Sequence, residues 1–390
     1  MKKILSSLVF RFIAWTNHLV PKRRQLLLHA FPDVEDQLVA ILRWLRDHPQ
    51  SQCPVIFLVS GDTTDAKLRL RKLVGDYAEQ IVVLKKSQLT AIWSYWRSRY
   101  VLFTHGLYGF LPISMRQCVI NLWHGMPIKS IWRGLGSIKP PQCNWLLSTS
   151  PKFSEVLAQA SGVPMDRIPV TGLPRNDLLF SDTAAVRVFA AQARVGVERV
   201  LLFLPTYRQS KIGYITHDGE ESASALSMGP MEVDALRAWL AATRTRMLVK
   251  PHPMSVHYGR DDKLSENLWL ISDEWLHEQG VMLYEALGQM DALITDTSSV
   301  YIDYLALRRP VFFYFPDLER YRETRKFLLE PVEEWLAGPL CRTGQELTAA
   351  LDQWTASGDL HSERRAHLAR QLNPQTTPDS TQRVFDLLFA

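Results

Sequence analysis

The chain is poor in cysteine and has no long apolar run. Its four cysteines, Cys53, Cys118, Cys143 and Cys341, form no CxxC pair. This argues against a zinc site or a disulfide framework and fits a reducing compartment. No window approaches the roughly 18–20 uninterrupted apolar residues of a membrane span. The 19 glycines and 22 prolines follow no period and charged residues make up 22%, which excludes collagen-like, coiled-coil and disordered chains. HExxH and Asp-x-Asp are absent, and Asp261-Asp262 sit side by side in a polar loop that reads as solvated. No metal and no cofactor are therefore expected. The net charge of +5, from 45 basic and 40 acidic side chains, is too small to indicate a nucleic-acid partner but suits phosphates or lipid headgroups.

What is present is enough apolar material for several cores: 390 residues, 46% hydrophobic, predict two or three domains. Acidic residues are missing before Asp33, while Lys2, Lys3, Arg11, Lys22, Arg23 and Arg24 all precede it. Ile4, Leu5, Leu8, Val9, Phe12, Ile13 and Leu19 share one helical face of this segment. Residues 1–24 thus read as a basic amphipathic helix, lying either in a headgroup layer as a peripheral membrane contact or on the protein's own body.

From Gln25 onward, short β-rich runs alternate with helix-length segments, the pattern of parallel α/β sheets. Expected strands are 25–29, 55–60, 81–84, 100–104, 117–123, 145–149 and 168–171, then 199–204, 247–250, 268–271, 292–295 and 311–315. Residues 35–48 between the first two form a helix with Leu38, Ile41, Leu42 and Leu45 on one face. The organisation predicted is the amino-terminal segment 1–24, a first doubly wound domain 25–180, a second 197–340, and carboxyl-terminal helices 341–390 packing back on the body. The two domains are expected to face each other across a cleft, with chemistry at the carboxyl ends of the strands.

Several strand ends carry reactive side chains. His124-Gly125 follows the 117–123 run, with Lys129 close behind, so His124 is placed as a general base or phosphate contact. Its plainer reading is a solvent-exposed histidine opening a turn. Lys250-Pro251-His252-Pro253 is a stiff basic loop suited to an anion. Thr297-Ser298-Ser299 opens the helix-like run 300–307 and offers hydroxyls and free backbone N–H groups to phosphates, although these residues are also ordinary helix caps. Asp303, one turn later, is a candidate for ribose hydroxyls. Thr206 and Arg208 follow strand 199–204, and Arg208 can grip phosphate in bidentate fashion. Arg175 and Asp177 after the 168–171 run read as a mutual pair bracing the crossing between domains.

The ordered motifs Trp123-His124-Gly125-x-Pro127-x-Lys129, Thr171-Gly172-x-Pro174-Arg175-Asn176-Asp177, Pro205-Thr206-Tyr207-Arg208, Lys250-x-His252-Pro253 and Thr295-Asp296-x-Ser298-Ser299-Val300-Tyr301-x-Asp303 resemble the CDP-glycerol glycerophosphotransferases, the teichoic acid primases and polymerases, including short capsule-type polymerases. The resemblance implies a GT-B fold of two Rossmann-like domains and a peripheral enzyme at the cytoplasmic face of the membrane. It implies a CDP-polyol donor and a lipid-linked or polymeric acceptor. It points to His124 and His252 as the catalytic pair, to Thr206, Arg208, Lys250, Thr297, Ser298, Ser299 and Asp303 around the donor, and to Lys129 as an acceptor or phosphate contact. Met126 and Thr297 depart from the usual wording of the family's motifs, which leaves the polyol open. The alternatives are a GT-B glycosyltransferase using a nucleotide sugar and a non-catalytic membrane-bound scaffold for an anionic polymer.

Overall fold

The computed structural model describes residues 16–108, 111–135, 140–206, 226, 228–251 and 263–389. The chain divides into two compact units, one drawn from Met1–His124, Gly136–Leu178 and Thr377–Ala390, the other from Gly125–Leu135 and Leu179–Thr376.

In the first unit, β1 (Arg23–His29), β2 (Val55–Val59), β3 (Ile81–Lys85), β4 (Ser98–Phe103), β5 (Cys118–Asn121) and β6 (Trp145–Leu146) pair in parallel in the order β3-β2-β1-β4-β5-β6. The strand cores are apolar without alternation, and Val55–Val59 is buried throughout, because helices cover both faces of such a sheet. The helix Asp36–Asp47 buries the expected stripe Leu38, Ile41, Leu42 and Leu45, each residue contributing about 1.5–3 kcal/mol of transfer free energy. The chain's last helix, Ser380–Phe389, also belongs here. The Asp177 carboxylate accepts from Ser380 N and Thr381 N at 3.0 and 2.7 Å, and Phe385 stacks on Trp44 at 4.0 Å.

The second unit contains β7 (Arg199–Leu204), β8 (Thr245–Val249), β9 (Lys263–Ser265), β10 (Leu268–Leu270), β11 (Ala292–Thr295), β12 (Val311–Tyr314) and β13 (Leu340–Cys341). Their order is β13-β12-β11-β7-β8-β10-β9, parallel apart from the β9–β10 pair. Read from β10, this is the 3-2-1-4-5-6 order of the first sheet over again, so each unit is a Rossmann-like half and the fold is of the GT-B class. Both sheets reverse direction of growth between their first and fourth strands, at β1/β4 and at β7/β11, which is where ligands bind in open α/β sheets.

The structure corrects some sequence expectations. Residues 168–171 form no strand but a single bridge, Ser148 to Val170, since Pro169 has no N–H to give a ladder. The run 117–123 stops pairing at Asn121 because the chain turns there. Of the basic cluster at 22–24, Lys22 is turned inward: its ammonium donates to Asn17 O, Asn17 Oδ1 and Trp96 O, and burial lowers its pKa to about 8. Arg23 and Arg24 remain exposed. Residues 1–15 of the amphipathic segment lie outside the described residues. No helix among the described residues is long and apolar enough to cross a membrane. The four cysteines are free, and only Cys341 is fully buried.

Candidate active site

His124 is presented by a sharp turn beyond β5. Asn121 Oδ1 accepts from Trp123 N at 3.0 Å, and Trp123 is held at φ +59°, a conformation that costs a bulky residue energy and is tolerated where the surroundings impose it. Gly125 follows at φ +128°, a region closed to side chains with a Cβ. Gln37, in the first turn of the helix Asp36–Asp47, clamps this turn: its amide donates to Trp123 O at 3.0 Å and its oxygen accepts from Arg175 N at 3.2 Å. Arg175, itself 7% exposed, then donates through Nη1 to the carbonyl of His124 at 3.0 Å. Each member of the expected Arg175–Asp177 brace has a task of its own. Arg175 fixes the His124 turn, and Asp177 caps the last helix.

The His124 ring reaches solvent, but it stacks on His105 with centroids 4.4 Å apart and an interplanar angle of 19°, and leans against Trp123 at 4.0 Å. Desolvation by the surrounding protein, then His105, then Arg175 push its pKa well below the usual imidazole value, against a smaller opposing pull from the Thr104 carbonyl. His124 is thus neutral at physiological pH. The Thr104 carbonyl can accept only from a ring N–H, so the other nitrogen offers its lone pair. His124 is exposed and opens a turn, as its plainer reading has it, and that turn is held by Asn121, Gln37 and Arg175.

Sequence reasoning missed several neighbours. His29 closes β1 and His105 follows β4, the two strands that flank the first switch point, so the strand-end rule applied to every strand would have found both. Lys86, after β3, lies 2.9 Å from His29 Nε2. Burial is the main cause that lowers both His29 and His105 to about 4. Glu35 precedes the helix Asp36–Asp47 with Oε1 buried and unbonded. Desolvation, reinforced by Asp36 and opposed by Arg175, raises its pKa to about 8.

In the second unit the switch point is organised by Asp296, 2% exposed just past β11. Its Oδ2 accepts from the backbone N–H of Thr206 at 3.1 Å and from the Thr206 hydroxyl, and its Oδ1 accepts from Ser298 N at 3.1 Å. Thr297 is buried with its hydroxyl unbonded, and Ser298 and Ser299 are half-buried at the start of a short helix, Val300–Tyr304. Asp303 is fully buried and accepts from the Tyr284 hydroxyl at 2.5 Å. Lys250, 6% exposed, is ion-paired to Asp273 at 3.0 Å, so its charge is already shared. Lys129 belongs to this second unit, where it bridges to Phe327 and lies over the Tyr321 ring at 5.1 Å. His252 and Arg208 lie outside the described residues. Among the described residues no group of His, Cys, Asp or Glu is arranged to hold a metal ion.

The family model for CDP-glycerol:poly(glycerophosphate) glycerophosphotransferases matches residues 11–390. The chain belongs to this family. As a glycerophosphotransferase it is 26% identical over 301 residues to a teichoic acid glycerol-phosphate transferase of Staphylococcus aureus, covering 71% of this chain and 72% of that one. It is 27% identical over 206 residues to a teichoic acid ribitol-phosphate primase of Bacillus spizizenii, covering 51% and 48%. The solved structure of the wall teichoic acid polymerase TagF superposes with a TM-score of 0.72 at 18% identity, over 98% of this chain and 92% of that one. At that identity the superposition establishes the fold.

Proposed function

We propose that this enzyme transfers glycerol phosphate from CDP-glycerol to a hydroxyl of a lipid-linked or polymeric acceptor of the teichoic acid type and releases CMP. The observation that carries the reading is His124, on a strained turn at a sheet's carboxyl end in a chain that this family's model matches over residues 11–390.

The acceptor oxygen attacks the phosphorus bearing glycerol as its proton passes to the free nitrogen of His124. The bond from that phosphorus to the bridging oxygen breaks, CMP leaves with the electron pair, and the imidazolium returns its proton to solvent. Because His124 is a weak base, its proton transfer is coupled to bond formation rather than preceding it. On the donor side, the hydroxyls of Thr297, Ser298 and Ser299 are assigned to the phosphates, together with Lys250, Arg208 and His252, while Thr206, whose N–H and hydroxyl both donate to Asp296, is assigned to shaping that edge. Asp303 is assigned a supporting place behind them through Tyr284, and Lys129 remains a candidate contact for acceptor or phosphate. The reaction as written uses no metal and no covalent intermediate. The segment 1–24, whose expected helix gives way before Arg23 and Arg24, exposed at the start of β1, is assigned a peripheral contact with the cytoplasmic face of the membrane.

The test is to incubate the protein with CDP-glycerol, CDP-ribitol and UDP-sugars, with and without EDTA, and to identify the nucleotide released by mass spectrometry. CMP from CDP-glycerol in the presence of EDTA is expected. Preference for CDP-ribitol reassigns the polyol, and release of UDP overturns the reading in favour of sugar transfer.

A further inference from the structure

The carboxyl end of the first sheet holds a cation that the transfer step above does not use. Lys86 Nζ donates to His29 Nε2 at 2.9 Å and to the Gly106 carbonyl at 2.7 Å. His29 Nδ1 lies 3.2 Å from the Leu58 carbonyl; that oxygen accepts only, so Nδ1 carries the hydrogen and Nε2 is free to accept from Lys86. The ammonium is therefore fixed in place by two neutral acceptors, neither of which cancels its charge. Burial lowers the Lys86 pKa and the attraction of Asp33 opposes this; the Asp33 oxygens accept from Ser60 N at 2.7 Å and Gly61 N at 2.8 Å.

Around this cation the edge is open, and its one charged carboxylate among the residues described above, Asp33, is turned to the backbone N–H groups of Ser60 and Gly61. Gly106, Ser60 and Gly61 are exposed, His105 is half-buried, and the Phe31 ring, 48% exposed, meets His105 edge-on at 5.9 Å. His105 in turn stacks on His124. Arg175 adds a second positive charge from behind, while Glu35, the other carboxyl of this edge, is held largely protonated by burial. A positive, half-desolvated edge with donors fixed beforehand is the environment that a phosphate group needs.

We propose that this edge binds a phosphate group of the acceptor, with Lys86 as its cation and His105 as a hydrogen-bonding wall next to the base. The inference rests on the glycerophosphotransferase reading, since a growing poly(glycerol phosphate) carries a phosphodiester a few bonds from the hydroxyl that attacks. Seating that phosphate on Lys86 brings the terminal hydroxyl toward His124, one imidazole further along the same edge. The site selects an acceptor that already bears a phosphate over a neutral polyol.

The binding test uses the full chain with saturating CMP, so that the nucleotide site is filled, and titrates sn-glycerol 3-phosphate by calorimetry, with glycerol as the uncharged control. Lys86→Met is expected to weaken sn-glycerol 3-phosphate by about tenfold or more, the loss of one charge-assisted bond. Lys86→Arg is expected to stay within a few-fold of the parent protein. In the transfer assay Lys86→Met raises KM for a short oligo(glycerol phosphate) acceptor and leaves KM for CDP-glycerol unchanged. Equal affinity in Lys86→Met and the parent, or a parallel rise in KM for CDP-glycerol, overturns the site. If Lys86→Met does not fold, ring resonances of His29 and His105 in the parent protein decide: a shift on adding sn-glycerol 3-phosphate supports the site, and none refutes it. Binding without any CMP-releasing activity would refute the transferase reading while leaving the phosphate site standing.

Discussion

Replacing Arg175 with Met separates the two ways in which this side chain acts on His124. Its Nη1 bond to the His124 carbonyl, 3.0 Å long and part-buried, is charge-assisted and worth about 1.5–3 kcal/mol. If the turn must be held for the ring to meet the acceptor, that energy appears in the barrier as a loss of about 10- to 150-fold in kcat/KM. Arg175 also helps to hold the His124 pKa down, after desolvation and His105. Removing the cation raises that pKa toward its ordinary value, so the acid limb of the rate profile moves to higher pH. The two effects are read separately by following CMP release from CDP-glycerol between pH 4.5 and 8. At pH 7.5 the base is neutral in both proteins and only the positional loss shows, whereas toward the acid end of the range the variant loses more. Urea unfolding monitors the stability change alongside. A variant that loses stability yet keeps its kcat/KM at pH 7.5 and its acid limb in place would refute the claim that Arg175 serves the base.

Substituting His124 by Ala is expected to lower turnover by about 10²–10⁴ while leaving CDP-glycerol binding, followed by calorimetry, largely intact; near-normal turnover removes it as the base. Asp296→Ala strips this acceptor from Thr206 N, the Thr206 hydroxyl and Ser298 N, each part-buried bond being worth about 0.5–1.5 kcal/mol or more to a charged acceptor. Its KM for CDP-glycerol should rise together with a lower urea midpoint, and an unchanged KM would detach Asp296 from the donor site. Glu35 has a folded pKa near 8 against about 4.5 for the free side chain, so the unfolded state releases its proton first and stability falls as pH rises between those values. Glu35→Gln removes that dependence, so its thermal midpoint should exceed the parent's at pH 8 and converge with it near pH 4.5; equal differences at both pH values would contradict the burial of a protonated carboxyl.

Much of the fold was legible in the sequence because strands covered on both faces are continuous apolar runs with little else to become. Arg199–Leu204 and Ala292–Thr295 are observed at the bounds expected of them. The failures fall where local pattern and pairing part company. Residues 168–171 look like a strand by side-chain type, but Pro169 denies the ladder a donor and one bridge is all that forms. The strands Lys263–Ser265 and Leu340–Cys341 span three and two residues, too short for any periodicity to register, and they exist because a sheet edge was available to pair with.

The site was legible only where its residues stand next to each other in the chain. His124-Gly125 and Asp296-Thr297-Ser298-Ser299 are contiguous and announce themselves, whereas the groups that set the chemistry of His124 come from β1, β3, β4, the helix after β1 and the short helix Pro174–Asp177, scattered over residues 29 to 175. A strand end supplies one or two residues to a switch point, so the constellation is assembled by strand order, and strand order is what a linear reading lacks. The 3-2-1-4-5-6 order puts β1 beside β4 and β4 beside β5, which turns His29, His105 and His124 into neighbours along one edge. Three imidazoles so close cannot all be charged. Desolvation first and the His105 ring second hold the His124 pKa down, which leaves Lys86 and Arg175 as the cations of that edge, so the base and its electrostatic setting both follow from topology.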